Sequence, residues 1–164
     1  MNYIEPTWNI KDVIDLNIEQ VPKPDIGFDV VNGTNVDKYQ GIISAGVYRG
    51  LPNFFDKTIF EKEFNWIKNK GYAVHRMIPG TILPLHRDNY SYYATNNNIT
   101  DLNNIIRVVL FLDDHKLGHI LQIEGLSFAN WSAGNYVFWQ GKKAHMAANF
   151  GNEDRYTLQI TGIL

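Results

Sequence analysis

His86-Arg87-Asp88 offers an imidazole nitrogen and a carboxylate oxygen two residues apart, directly after a stretch that alternates like a strand. On an extended chain alternate side chains share a face, so His86 and Asp88 can converge on one ion while Arg87 turns away. Imidazole and carboxylate suit a borderline divalent cation. A second imidazole would complete a two-His, one-carboxylate face that leaves three positions open on Fe(II). His145 is the best candidate, because it follows the apolar run 136–139 and sits in another short strand. Taken alone, the His-x-Asp triplet serves equally well as surface ion pairing. Arg155 and Thr157 also have strand spacing and can face one cavity. A guanidinium presents a planar fork to a carboxylate and a hydroxyl adds one more donor. That pair suits the far carboxylate of a dicarboxylic cosubstrate whose other end chelates the metal; a lone Arg here would read as a surface residue.

In this combination the sequence resembles the 2-oxoglutarate- and Fe(II)-dependent dioxygenases, especially their prolyl and aspartyl/asparaginyl hydroxylase-like branches. Members of that family carry a double-stranded β-helix with His-x-Asp, a distal His, and an Arg or Lys on a later strand, often followed two residues on by Ser or Thr. The matching residues are His86 and Asp88, then His145, then Arg155 with Thr157. The approach segment Pro79-Gly80-Thr81-Ile82-Leu83-Pro84-Leu85-His86-Arg87-Asp88 is similar to the family pattern around its first metal-binding strand. So is the run Gly134-Asn135-Tyr136-Val137-Phe138-Trp139, through Gly141, to His145 and Asn149. The resemblance covers about residues 72–162 and rests on order, spacing and flanking strands together.

The resemblance implies a mostly β fold, a double-stranded β-helix (jelly-roll, cupin-like) with one or two flanking N-terminal helices, as a single domain over 1–164. It implies that His86, Asp88 and His145 bind Fe(II) and form the catalytic centre. It further implies that 2-oxoglutarate chelates the metal through its 2-oxo and C1 carboxylate oxygens, with Arg155 on the C5 carboxylate and Thr157 assisting. Oxidative decarboxylation with O2 would then yield succinate and CO2 and hydroxylate an unactivated C–H bond. A peptide side chain is the implied substrate, with prolyl, aspartyl and asparaginyl targets open and a small metabolite as the alternative.

Arg107 is the next candidate for cosubstrate binding. It is the charged residue of an otherwise apolar run, 105–112, and shares a face with Val109 and Phe111. Facing inward, it needs a partner, since burying an isolated guanidinium is expensive; it would contact the C1 end of the cosubstrate or a polar substrate group. Facing outward, it starts a strand in solvent or pairs with Asp113 or Asp114. Alternation lets only one of His75 and Arg76 point inward. Tyr90, Tyr92, Tyr93 and the Asn-rich stretch to Asn104 read as a loop, either a substrate lid or a plain connection. Trp131, Phe138 and Trp139 read as core or cavity wall. His115 and His119 read as ordinary turn or strand residues beside Asp113 and Asp114.

The elements that must position these residues are mostly strands. Runs at 72–78, 82–85, 105–112, 119–123, 126–129, 136–139, 144–148 and 156–160 are punctuated by Gly125, Gly134, Gly141 and Gly151. Many short strands at this pitch predict a closed or double-sheet β architecture. One helix is clear: Asp56 or Thr58 can cap it, Glu61 can complete a capping box, Phe60, Phe64 and Ile67 recur at helical spacing, and Gly71 stops it. Residues 1–50 are the least readable, with short strands expected at 26–31 and 41–48 around a turn at 32–35.

Composition narrows the function classes. Formal charge is −2, from 15 basic and 17 acidic side chains, and no long basic stripe is present, so a nucleic-acid partner is not expected. Absence of Cys removes disulfides, thiolate metal sites and cysteine nucleophiles together. Any transition-metal site must therefore use His, Asp or Glu. No stretch approaches the 18 or so apolar residues that cross a bilayer, and the start carries Glu5 and no lysine, so a cytoplasmic, non-membrane setting is expected. A cupin-like metalloenzyme without 2-oxoglutarate would leave Arg155 without a role, and its usual clustered His-x-His with a following Glu is absent. A jelly-roll module that binds carbohydrate or protein would not need the His86, Asp88 and His145 set. The complete ligand set also counts against a degenerate oxygenase kept as a structural subunit. The sequence leaves oligomeric state open.

Overall fold

A computed structural model describes residues 1–18, 20–22, 28–30 and 44–164, the segments 20–22, 28–30 and 44–45 as backbone only. The elements run β1 (Asn2–Tyr3), α1 (Ile10–Ile14), β2 (Gln20–Pro22), β3 (Phe28–Val30), β4 (Ser44–Arg49), α2 (Lys57–Glu63), β5 (Lys68–Met77), β6 (Thr81–Asp88) and α3 (Ser91–Asn97). A short 3-10 turn (Leu102–Asn104) leads into β7 (Ile105–Phe111), β8 (His119–Ile123), β9 (Leu126–Phe128), β10 (Asn135–Gln140), β11 (His145–Asn149) and β12 (Arg155–Ile163). Two antiparallel sheets result, a seven-stranded one in the order β1-β10-β7-β12-β5-β4-β2 and a five-stranded one in the order β3-β6-β11-β8-β9. Together they form a double-stranded β-helix of the cupin or jelly-roll kind with a few short helices, as the sequence leads one to expect. The strands expected at 26–31 and 41–48 appear as β3 and β4; their remaining residues and the turn at 32–35 lie outside the described residues.

Strands β7 and β12 explain how one sheet serves two purposes. Along β12, Tyr156, Leu158 and Ile160 face outward into an apolar layer with Phe60, Phe64 and Trp8, while Arg155, Thr157 and Thr161 are buried on the opposite face. Along β7, Ile106, Val108 and Leu110 join the same outer layer, and Val109 and Phe111 join a second cluster with Trp131, Trp139 and Ala147 between the sheets. Both faces are covered, so these strands read as nearly continuous apolar runs broken by a few polar residues. The close approach of Ile67 and Lys68 to β12 requires Gly162, where any Cβ would collide with the Ile67 side chain.

The clear helix is shorter than its spacing suggests. Asp56 caps α2 by accepting from the Thr58 and Ile59 amides at 2.9 and 3.3 Å. Glu61 turns instead to Lys70 at 3.0 Å. The helix stops at Phe64 rather than running to Gly71, because Lys68 already pairs with Ile163 of β12. Ile67 is buried in the turn all the same, so the apolar spacing holds although the helix has ended. The stretch after Asp88 is likewise helical where a loop was expected. Its one and a half to two turns carry no apolar period, and Tyr90 and Asn98 bracket it with left-handed backbone.

Phe64 is fully buried, with its ring 6.0 Å from Phe60 and 5.2 Å from Tyr136. Phe64→Ala is expected to lower unfolding free energy by about 3–5 kcal/mol and Asp56→Ala by about 1 kcal/mol. Urea titrations of the variants check both; equal losses would contradict this division between core and cap.

Candidate metal centre

The structure brings together His86, Asp88 and His145. His86 on β6 is paired across the ladder with His145 on β11, and their ring centroids lie 4.2 Å apart. The register then slips between His145 and Ala147, a bulge that accommodates Pro84 within β6 and re-aims the side chains beside it. His86 Nδ1 donates to the Pro84 carbonyl at 2.6 Å and His145 Nδ1 to the Lys143 carbonyl at 2.9 Å. A carbonyl can only accept, so both rings carry their proton on Nδ1 and turn the lone pair of Nε2 inward. Both lone pairs look toward the same oxygen, Asp88 Oδ1, at 3.6 and 3.8 Å. The ligating atoms of the three residues all fall within 4.8 Å of one another. This is a two-His, one-carboxylate set able to hold a divalent ion, with each imidazole oriented by a carbonyl in the way metal-bound histidines usually are.

Arg107 turns inward, and its partner is Asp88 rather than Asp113 or Asp114. Its Nη2 donates to Asp88 Oδ2 at 2.8 Å and its Nη1 to Gln159 Oε1 at 2.7 Å, while the guanidinium lies 5.3 Å from the Tyr90 ring centre. The two carboxylate oxygens are thereby divided between Arg107 and the imidazoles. Burial acts to raise the Asp88 pKa, but Arg107 and the two histidines outweigh it and hold the carboxyl well below the usual range. Burial pushes His145 down to about 4, so at neutral pH it is in the neutral form that can bind a metal.

Arg155 sits on the same inner face toward the other end of β12. It is 4% exposed, donates from Nη1 to the Ile120 carbonyl at 3.0 Å, and lies 5.9 and 5.5 Å from the Phe111 and Trp131 ring centres. Among the described residues no carboxylate pairs with it, and burial pushes its pKa down to about 10. Thr157, two residues on, is buried on the same face beside His75 of β5 and Phe111 of β7. The aromatic cluster links this end to the triad, since Trp139 lies in it and stands 4.8 Å from the His145 ring.

His75 rather than Arg76 points inward; Arg76 turns out to Asp154 at 2.7 Å. Burial, then the Arg107 charge, push His75 down to about 3. His119 opens β8, within the strand expected at 119–123; it is 4% exposed and faces inward with Leu121 and Ile123. Phe138 faces outward against Trp66 and is half exposed. Gln159 was missed, although alternation from Arg155 and Thr157 places it on the same face. Among the described residues, five buried side-chain polar atoms lack a hydrogen-bond partner: His75 Nδ1, Arg107 Nε, His119 Nδ1, Trp139 Nε1 and Arg155 Nε. All five residues face the space between the sheets. Native proteins leave few such atoms, so their gathering in one place marks the interior as a polar ligand site.

No family model and no curated protein matches the chain. Solved structures similar to it include a predicted oxalate decarboxylase from Thermotoga maritima, 16% identical over 76% of this chain and 85% of that one, with a TM-score of 0.46. The Cupin_2 domain of an XRE family transcriptional regulator from Enterobacter cloacae is 12% identical over 73% and 97% of the two chains, TM-score 0.47. KdgF from Halomonas sp. is 8% identical over 73% and 79%, TM-score 0.45. These are similarities of chain path alone. No helix among the described residues is long and apolar enough to cross a membrane.

Two outcomes are expected of the metal centre. His145→Ala removes a candidate ligand and should weaken Mn(II) binding by roughly 100-fold or more, while Arg107→Gln, which takes away the cation that keeps Asp88 ionised and aligned, should cost roughly 10- to 100-fold; calorimetry ranks them. The second concerns pH. In the unfolded chain an imidazole titrates near 6.5, above the folded values of about 4 for His145 and about 3 for His75. The unfolded state therefore takes up protons first as pH falls. Stability of the metal-free protein should be full above about pH 6.5 and drop toward pH 4, by about 2 kcal/mol for each imidazole at pH 5. A urea midpoint that stays constant between about pH 7.5 and 5 would contradict it.

Proposed function

We propose that this chain is an Fe(II)- and 2-oxoglutarate-dependent oxygenase that hydroxylates an unactivated C–H bond of a peptide side chain. The observation that carries the reading is Arg155. A guanidinium buried this deeply without an anion is expensive, and it shares an aromatic-walled interior with a divalent-ion site. A dicarboxylic cosubstrate relieves both, its chelating end at the metal and its far carboxylate at Arg155.

The donor set fits the group. Two imidazoles and one carboxylate suit a borderline ion such as Fe(II) and leave positions open for a chelate and O2. When bound, iron and 2-oxoglutarate supply the oxidation: 2-oxoglutarate, O2 and R–H give succinate, CO2 and R–OH. The chain's own work is binding, orientation and exclusion of water. His86 and His145 hold the ion through Nε2, with their tautomers fixed by the Pro84 and Lys143 carbonyls. Asp88 gives Oδ1 because Arg107 occupies Oδ2. Arg155 offers its fork to the far carboxylate and Thr157 adds a hydroxyl donor. Phe111 and Trp131, stacked at 4.0 Å, wall that end against solvent.

Arg155→Ala should weaken 2-oxoglutarate binding to the Mn(II)-loaded protein by roughly 30- to 100-fold, the equivalent of about 2–3 kcal/mol for charge-assisted hydrogen bonds. Mn(II) affinity should stay as in the parent, because the side chain is no ligand. Paired calorimetric titrations separate the effects, and unchanged 2-oxoglutarate affinity would sink the assignment.

A further inference from the structure

The interior has a third arginine at its rim. Strand β4 lies beside β5 in register Val47↔His75 and Arg49↔Ala73, so Arg49 shares the inner face with His75 on a diagonal. Such positions lie about 7–8 Å apart, within reach of a long side chain. The Arg49 guanidinium lies 5.4 Å from the Tyr92 ring centre, and both residues are exposed, so this pair stands at the solvent surface. Tyr92 follows closely on Tyr90, whose ring lies against Arg107. The start of α3 thus sets one tyrosine against the arginine that holds the metal ligand and another against an arginine at the surface. Among the described residues Arg49 has no carboxylate partner. Beside Arg49 the inner face of β5 presents the small residues Ala73 and Gly71, and a side chain at Gly71 would meet the Tyr93 ring. His75 follows on the same face, with Nδ1 buried and unpartnered.

Charge favours an anion there. Among the described residues, three guanidiniums, of Arg49, Arg107 and Arg155, and one carboxylate, Asp88, act electrostatically on His75. A divalent ion raises the excess further, and a dianionic cosubstrate leaves it positive. We propose that Arg49 and His75 form a second anion subsite that takes a carboxylate of the substrate beside the metal. Arg49 offers a planar fork from the rim, and the neutral imidazole of His75 donates one N–H from below. The proposal rests on the oxygenase reading for the ion and cosubstrate, but its residues are separate from those that would hold either.

The test uses the full chain loaded with Mn(II) and 2-oxoglutarate. Probes come in matched pairs: free L-amino acids against their carboxamides, and N-acetylated, C-amidated peptides containing Asp or Glu against the same peptides with Asn or Gln. At least one acid should bind ten-fold or more tightly than its amide, and the arm in which it appears identifies a free or side-chain carboxylate. Arg49→Gln should reduce that preference to near one while leaving Mn(II) and 2-oxoglutarate affinities unchanged; Arg49→Lys should keep part of it. The inference is overturned if no probe binds, if every acid binds like its amide, or if the preference survives in Arg49→Gln. Failure of the oxygenase reading is read separately, as absence of 2-oxoglutarate binding. The acid preference is then measured on the Mn(II) form alone, with the same outcomes deciding.

Discussion

Burial alone would push a carboxylate such as Asp88 toward its neutral form, and a neutral Asp88 would be a poor ligand. The contact with Arg107 reverses that. With Nη2 at 2.8 Å from Oδ2, the guanidinium keeps the carboxyl ionised and leaves Oδ1 turned toward His86 and His145. Arg107 in turn needs Asp88, since a buried guanidinium stripped of its partner costs about 3–5 kcal/mol. Gln159 and the Tyr90 ring steady its other faces. The charge state of the ligand set, its direction and the burial of the arginine thus hang on one ion pair.

That pair is affordable because the stability of the seven-stranded sheet comes from its other face. Phe60, Phe64, Leu110, Leu158 and Ile160 are fully buried in the outer layer, under α2 and the N-terminal segment. Trp8 ties that segment down, donating from its indole to the Leu112 carbonyl at 2.9 Å. The inner face is therefore free to carry His75, Arg107, Arg155, Thr157 and Gln159, none of which a packed core would favour. The inner faces of β7 and β12 can carry their polar groups because the outer faces of the same strands are apolar.

The strands were legible because period-two alternation and glycine punctuation survive in a sheet covered on both sides, and the order of His86, Asp88 and His145 was legible because strand spacing fixes which side chains share a face. What stayed hidden depended on partners distant in sequence. Nothing near Arg107 points to Asp88, and the pairing arises only when β6 and β7 face each other from different sheets. Helix α2 was drawn too long because Ile67 is buried in a turn at a position that a helix would also bury. Helix α3 was invisible because seven residues rich in Asn and Tyr carry no apolar stripe. His119 reads as a strand residue in the sequence, and its alternation with Leu121 and Ile123 carries the inward orientation.

The turn after Asp88 explains why that hidden helix matters. Tyr90 adopts φ 54°, a left-handed conformation that a bulky residue takes only where its surroundings enforce it. Asparagine or glycine would adopt it with less strain, but neither would set a ring against Arg107 or donate to the Gly141 carbonyl as Tyr90 does at 3.3 Å. Reversing the chain there also throws Tyr92 out to Arg49 and lets Tyr93 donate to the Asn69 carbonyl at 2.7 Å, which fastens α3 across the end of β5. One strained residue therefore joins the strand that carries Asp88 to the rim where a substrate would enter.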